Sequence, residues 1–272
     1  MKIVKGELAL GRFLVPYRVY GEAETFIVCI SGAKQTMAAW RSFVSHFVAD
    51  YSIVVFDLPG QGRAKILSGE PGVTFEEQID VLHSVVMETT PTDGSTILAA
   101  ASWGTIISAA VAARHSDLIG KMILGSFGAK PSKAVVEVIR AGQGLFDGDK
   151  SDEIAPLMIE KFGQHIPESH KKQMISQFKG MSRLDLLSFY EHCKFVEQAT
   201  DIEDFVTLGD ITASTLIVIG EYDAIIDISD IEEASTRIPD CEFKMIPGAG
   251  HFLHWEQPEI LHHYSEFLDR KS

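Results

Sequence analysis

The sequence predicts an α/β protein with a mostly parallel sheet, helices on both of its faces and an inserted helical segment. Three observations predict it. Short apolar, β-branched runs alternate with longer stretches of helical periodicity, as parallel strands joined by crossover helices require. The alternation stops between residues 131 and 207, where every segment reads helical. Turns rich in small residues and bearing reactive side chains recur where the strand runs end, and open α/β sheets gather their ligands at that edge.

The elements follow in order. The first 20 residues, through Phe13-Leu14-Val15-Pro16-Tyr17-Arg18-Val19-Tyr20, read as an antiparallel hairpin. Residues 25–30 form a buried strand, 38–47 a helix and 52–57 the next strand. A helix over 74–89 follows from Phe75, Ile79, Leu82, Val85 and Val86 at helical spacing. Then come a strand at 96–101, a helix at 103–113 and a strand at 121–125. After the insertion the order resumes with a strand at 215–220, a helix at 229–237, a strand at 242–246 and a closing helix at 258–268. Ser229-Asp230-Ile231-Glu232 has the form of a capping box, so Ser229 is expected to cap its helix. The runs add up to an eight-stranded sheet. Residues 1–130 and 208–272 make the core domain, and 131–207, with helical pieces at 134–142, 152–162, 171–178 and 185–196, make a lid over the ligand edge.

Composition narrows the function. A hydrophobic fraction of 46% over 272 residues suits one large domain, or a core carrying an insertion. A net charge of −14 opposes both phosphate neutralisation and docking on anionic lipid, so neither nucleic acid nor a membrane surface is an expected partner. Cys29, Cys193 and Cys241 are odd in number and form no C-x-x-C pair, which argues against a disulfide framework or a zinc site. Cys29, inside Phe26-Ile27-Val28-Cys29-Ile30, reads as a small buried hydrophobe. No metal or cofactor motif is seen. The first residues lack the apolar run of a signal peptide and no stretch is long and apolar enough to span a membrane, so the expected location is the cytoplasm.

The candidate nucleophile is Ser102. Ala100-Ala101-Ser102-Trp103-Gly104 falls where a predicted strand meets a predicted helix. A serine there needs small residues two before and two after it, because the tight turn crowds the backbone. Gly104 meets that demand, and Ala100 stands in for the usual first glycine. The helix start would aim its dipole at a developing oxyanion. A serine also excludes the aspartate-nucleophile chemistries.

A serine nucleophile needs a base and an acid, in that spatial order. Gly248-Ala249-Gly250-His251-Phe252 follows the last strand, and its glycines let a short loop return the His251 imidazole over the sheet edge. His254 is the rival; His46, His83, His262 and His263 lie on predicted helices and read as packed or solvated. Asp223, in Gly220-Glu221-Tyr222-Asp223, is the candidate acid, with Glu221 and Asp227 as competitors. The backbone N–H groups of Ala33, in Ser31-Gly32-Ala33-Lys34, and of Trp103 are the candidate oxyanion donors. Ser31 could hold that loop through its hydroxyl. Lys34 reads as a solvated surface lysine, with contact to a negative substrate group as the other reading. The glycines of Asp57-Leu58-Pro59-Gly60-Gln61-Gly62 read as structural.

Ser31-Gly32-Ala33, Asp57 to Gly62, Ala100 to Gly104, and Asp223 with Gly250-His251 together resemble the α/β-hydrolase superfamily along nearly the whole chain. A narrower resemblance joins Val55-Phe56-Asp57-Leu58-Pro59, Ala101-Ser102-Trp103-Gly104 and Gly250-His251-Phe252-Leu253, with Asp149-Lys150-Ser151 in the lid, to the 3-hydroxyacyl-ACP O-acyltransferase of rhamnolipid biosynthesis. Gln61-Gly62-Arg63 and the lid depart from that pattern. The superfamily implies a serine acyl hydrolase acting on esters or thioesters through an acyl-enzyme on Ser102. The narrower family implies acyl transfer between hydroxyacyl groups, with an acidic acyl carrier protein as partner. In residues 161–194, Lys161, Lys171, Lys172, Lys179, Arg183 and Lys194 outnumber Glu168, Asp185 and Glu191, which would suit such a carrier; a solvated lid face is the other reading. A non-enzymatic small-ligand receptor is the third function considered.

Overall fold

Strict alternation of apolar side chains along the inner strands buries both faces of the sheet. In the computed structural model, which describes residues 2–270, Val28, Ile30, Val54, Phe56, Leu98, Ala100, Leu124, Ile217 and Ile219 face one hydrophobic cluster. Ile27, Cys29, Ile53, Val55, Ile97, Ala99, Ile123, Leu216 and Val218, their neighbours in sequence, face another. A strand that points successive side chains to opposite faces can be apolar throughout only if helices cover both.

The chain opens with β1 (Ile3–Leu10) and β2 (Phe13–Tyr20), an antiparallel hairpin. Then follow β3 (Phe26–Ile30), α1 (Arg41–Phe47), β4 (Ser52–Phe56), β5 (Lys65–Ile66), α2 (Phe75–Thr89), β6 (Thr96–Ala101), α3 (Trp103–Arg114) and β7 (Ile119–Gly125). Four helices occupy the connection to the next strand: α4 (Lys133–Asp147), α5 (Ile154–Phe162), α6 (Glu168–Lys179) and α7 (Arg183–Gln198). The fold closes with β8 (Ser214–Gly220), α8 (Ile228–Ser235), β9 (Cys241–Ile246), α9 (Leu253–Glu256) and α10 (Ile260–Leu268). Strand order is β1-β2-β4-β3-β6-β7-β8-β9, parallel from β4 to β9. Helices α2, α3 and α8 pack on the first face, α1 and α10 on the second.

The eight expected strands are present, and β5 adds a ninth. Two residues carry no periodicity to read; β5 exists because Ile66 and Lys65 pair with Phe13 and Leu14 of the distant hairpin. The cap of α8 is also corrected. Asp227, not Ser229, is the N-cap, its Oδ1 accepting the Ser229 N–H at 3.0 Å and the Ser229 hydroxyl as well. Helix α4 runs past Gly142 and Gly144 to Asp147, beyond the expected end. Its start is held by Ser132, which accepts the Val135 N–H at 3.1 Å.

Helices α4 to α7 hold a small hydrophobic cluster of their own around Phe146, Ile154, Ala155, Phe178 and Leu186. Among the described residues no helix is long and apolar enough to cross a membrane.

Candidate active site

Ser102 occupies the turn between β6 and α3 at φ 49° and ψ −123°. A positive φ is costly for a residue with a Cβ, on the order of 1–3 kcal/mol, and surrounding contacts must hold it. Its N–H donates to the Gly125 carbonyl at 2.8 Å, and its own carbonyl accepts from Thr105 N–H at 2.8 Å. Two residues on, a Cβ at Gly104 would stand 2.5 Å from the Ile30 carbonyl oxygen and 2.8 Å from that of Ser31. Only glycine lets α3 pass so close to the end of β3. Ala100 fits where glycine was expected because it points into the core between Ile30 and Leu124.

The three residues proposed from sequence meet there. His251 Nε2 lies 2.9 Å from Ser102 Oγ, and His251 Nδ1 lies 2.8 Å from Asp223 Oδ2. Both partner side chains of the second contact are shielded, His251 at 4% exposure and Asp223 at 0%. Asp223 Oδ1 accepts the N–H groups of Ile225 and Ile226 at 2.9 and 3.2 Å, so each carboxylate oxygen has a fixed task. A Cβ at Gly220 would strike the Gly250 carbonyl, which is why the Asp223 and His251 loops can lie against each other.

The rivals stand elsewhere. Glu221 accepts the Gly248 N–H at 2.8 Å, and Asp227 caps α8. His254 Nε2 is 3.1 Å from the Tyr264 hydroxyl, with its ring against Trp40; desolvation lowers its pKa to about 4. His46 bonds Ser265, and His83 stacks on His115.

Two supports of the His251 loop escaped the sequence. The Ser126 hydroxyl donates to the His251 carbonyl at 2.8 Å. The Glu256 carboxylate accepts from the N–H of Gly250 and, at 3.1 Å, from that of Phe252, gripping both sides of the imidazole. One reaches across from the end of β7, 125 residues away in the chain, and the other reaches back four to six residues from a four-residue helix.

The loop after β3 is held the same way. Ser31 Oγ accepts the Trp40 indole N–H at 2.9 Å, so its hydroxyl does hold the loop. Gln61 accepts the Lys34 N–H at 2.9 Å and donates to the Gly32 carbonyl at 3.2 Å, while Gln35 accepts the Gly32 N–H at 3.1 Å. Between them the Ala33 N–H has no acceptor among the described residues, and neither has the Trp103 N–H at the first position of α3. Asp57 ties the turn, accepting the N–H of Met37 and Arg63 at 2.7 and 2.8 Å; burial raises its pKa.

Lys34 is not solvated. It is 7% exposed, and its ammonium donates to the carbonyls of Gly60 at 2.5 Å and Asp185 at 2.9 Å, joining the core turn to α7. Burial lowers its pKa to about 8. A lysine in a polar loop gives no sequence sign of this, because α7 arrives from far along the chain.

A cavity of about 580 Å³ opens beside Ser102 and His251 and extends under α4 to α7. That is within the range of small-molecule pockets, ~300–1,000 Å³. The Trp103 indole N–H donates to Gln78 Oε1 at 2.8 Å, which orients one wall. His192 packs edge-on against Trp103 at 4.3 Å; burial first, then the Lys34 charge, lowers its pKa to about 3. Desolvation pushes the Cys193 thiol up to about 12, which leaves it a poor nucleophile. Among the described residues, no group of three or more His, Cys, Asp or Glu could hold a metal ion.

The cations of the 161–194 stretch are mostly paired. Lys161 meets Glu160 at 2.9 Å, Lys171 meets Glu168 at 2.9 Å, Arg183 meets Asp149 at 3.4 Å and Lys194 meets Glu191 at 3.2 Å.

A family model of the alpha/beta hydrolase fold matches residues 25–258. The chain belongs to that family. This α/β hydrolase is 22% identical over 262 residues to the (R)-3-hydroxydecanoyl-ACP:CoA transacylase of Pseudomonas putida, covering 93% of this chain and 87% of the relative. It is 25% identical to 2-hydroxy-6-oxononadienedioate/2-hydroxy-6-oxononatrienedioate hydrolase 2 of Pseudomonas putida, over 95% of this chain and 91% of that one. Among solved structures, the α/β hydrolase enzyme MGS-M2 from a Medee basin deep-sea metagenome library superposes with a TM-score of 0.84 at 17% identity, covering 98% of each chain. The relatives are enzymes, hydrolases and a transacylase, in keeping with the resemblances drawn from the motifs.

Proposed function

We propose that this α/β hydrolase cleaves carboxylic ester or thioester bonds through an acyl-enzyme on Ser102. The observation that carries the reading is the unbroken relay from Asp223 to His251 to Ser102, at 2.8 and 2.9 Å, opening onto the cavity. In this mechanism His251 Nε2 takes the Ser102 proton as Oγ attacks the carbonyl carbon. Asp223 holds Nδ1 protonated and stabilises the imidazolium that forms. The Ala33 and Trp103 N–H groups receive the oxyanion, with the α3 N-terminus adding its dipole. Collapse breaks the bond to the alcohol or thiol, which leaves with the proton from His251. Water, deprotonated by the same imidazole, then releases the acid. Residues 131–207 serve as the lid that covers the acyl group.

The test is steady-state turnover of p-nitrophenyl acyl esters. Ser102→Ala should lose about 10⁶ in kcat, as loss of a serine nucleophile does elsewhere. Retention of a substantial rate would remove Ser102 from the chemistry. A single burst without turnover would favour a ligand receptor.

Acyl transfer is the second reading, supported by the similarity to a transacylase across 93% of the chain. Only the final acceptor changes: a substrate hydroxyl or thiol attacks the acyl-enzyme in place of water. An acidic acyl carrier protein would be the donor, meeting the lid near Lys172 and Lys179. Mass spectrometry of products from 3-hydroxyacyl-ACP separates the two, since transfer yields a new ester or thioester and hydrolysis the free acid.

A further inference from the structure

One side chain in the cavity has a buried amide nitrogen with no hydrogen-bond partner among the described residues. Gln143 lies on α4 between Ile139 and Phe146, both buried, at the i, i+4, i+7 spacing of the inward stripe. Its Nε2 is buried and has no hydrogen-bond partner among the described residues, and the residue lines the cavity. Buried amides in folded proteins are paired almost without exception, because stripping water from a donor without replacing it is unfavourable. Other glutamines of the molecule obey that rule. Gln78 accepts the Trp103 indole N–H, Gln61 bridges Gly32 and Lys34, and Gln177 donates to the Lys34 carbonyl. Among the described residues the other side chain with unpaired buried atoms, Arg237, still meets Asp201 and Glu203. Gln143 has no such bonds.

We infer that Gln143 is a specificity-determining residue that hydrogen-bonds a hydroxyl or oxo group on the acyl chain, beyond the carbons next to the scissile carbonyl. The inference rests on the acyl-enzyme reading and names its substrate class. Position supports the distance from the carbonyl. Ser102 follows the core strand β6, whereas Gln143 sits one turn from Phe146, a member of the insertion's own hydrophobic cluster. Chemistry supports a neutral oxygen. On α4 the cavity is lined by Val135, Val138, Ile139, Gly142, Gln143 and Phe146, none of them charged, and the cavity's cations, Lys34, Arg41 and Lys130, lie on other segments. An amide can donate to an oxo oxygen, and both donate to and accept from a hydroxyl. A plain hydrocarbon chain would leave it unpaired.

The experiment compares the wild-type enzyme with Gln143→Leu on p-nitrophenyl esters of one chain length, unsubstituted or hydroxylated at each carbon from 6 outward, where the hydroxyl does not readily close a five- or six-membered lactone. The expected wild-type profile of kcat/KM has a peak at one hydroxyl position, about tenfold or more above the plain ester, because an unmatched polar site rejects the analogue lacking its partner. In Gln143→Leu the peak disappears while the plain ester is still turned over. The melting temperature of the free Leu variant should rise, since an unpaired buried amide has been removed. A flat wild-type profile, or a peak that survives in Gln143→Leu, overturns the inference while normal turnover of the plain ester leaves the acyl-enzyme intact. If no ester is turned over and a fluorophosphonate does not label Ser102, the acyl-enzyme reading fails and the inference falls with it. Gln143→Met replaces the leucine variant if that one does not fold.

Discussion

On the sheet side of the cavity, Asp57, Gln61, Ser126 and Glu256 are each bonded to backbone groups of the loops flanking Ser102 and His251. On the side of the insertion, α4 presents an amide without a partner, and several cations pair with acids on their own helix. Under the proposed mechanism the difference separates two tasks. Atoms that must meet within about 3 Å in every turnover need loops whose polar groups are already committed. A surface that accepts one acyl group rather than another needs a group left free.

The largest effect should come from breaking the sheet side. Asp223→Asn keeps the shape but loses the charge that fixes the His251 tautomer, and turnover should fall by about 10⁴. A near-normal rate in an ester assay would move the acid function to another residue, despite the tasks already held by Glu221 and Asp227.

Packing offers the next contrast. Leu98, fully buried in β6, is enclosed on all sides, and Leu98→Ala should cost about 2–5 kcal/mol in equilibrium chemical unfolding. Ile154→Ala, in the small cluster of the insertion, should cost less than about 2 kcal/mol, because that cluster can collapse and open locally. Equal costs would mean that the insertion is as tightly built as the core.

A pH-dependent effect tests the joint between the two regions. Lys34 has a pKa near 8 when folded and an ordinary value of 10.5, so the unfolded chain binds more protons between those values. This group therefore makes the folded state more stable as pH rises from about 8 towards 10.5, and its burial penalty is complete below that window. Chemical unfolding across it should show a rising contribution that Lys34→Met removes. An unchanged slope in the variant would show that Lys34 is not the group responsible.

Much of the fold could be read from residue order alone. Apolar runs at strand length, helical spacing in residues 75–86 and the loss of alternation after residue 131 are local properties, recorded in consecutive side chains. Ser102, Asp223 and His251 were legible because each must sit beside small residues or at a strand end, and a turn leaves that mark locally. What the sequence could not show depends on pairs distant in the chain. Strand β5 requires Phe13 and Leu14, the His251 loop requires Ser126, the burial of Lys34 requires α7, and the solitude of Gln143 requires every neighbour that might have bonded it. Periodicity and turn chemistry act within a few residues, so the sequence by itself determined the elements and the candidate relay. Hydrogen bonds and desolvation act through space, so the tertiary structure alone decided which polar groups are committed and which is left unpaired.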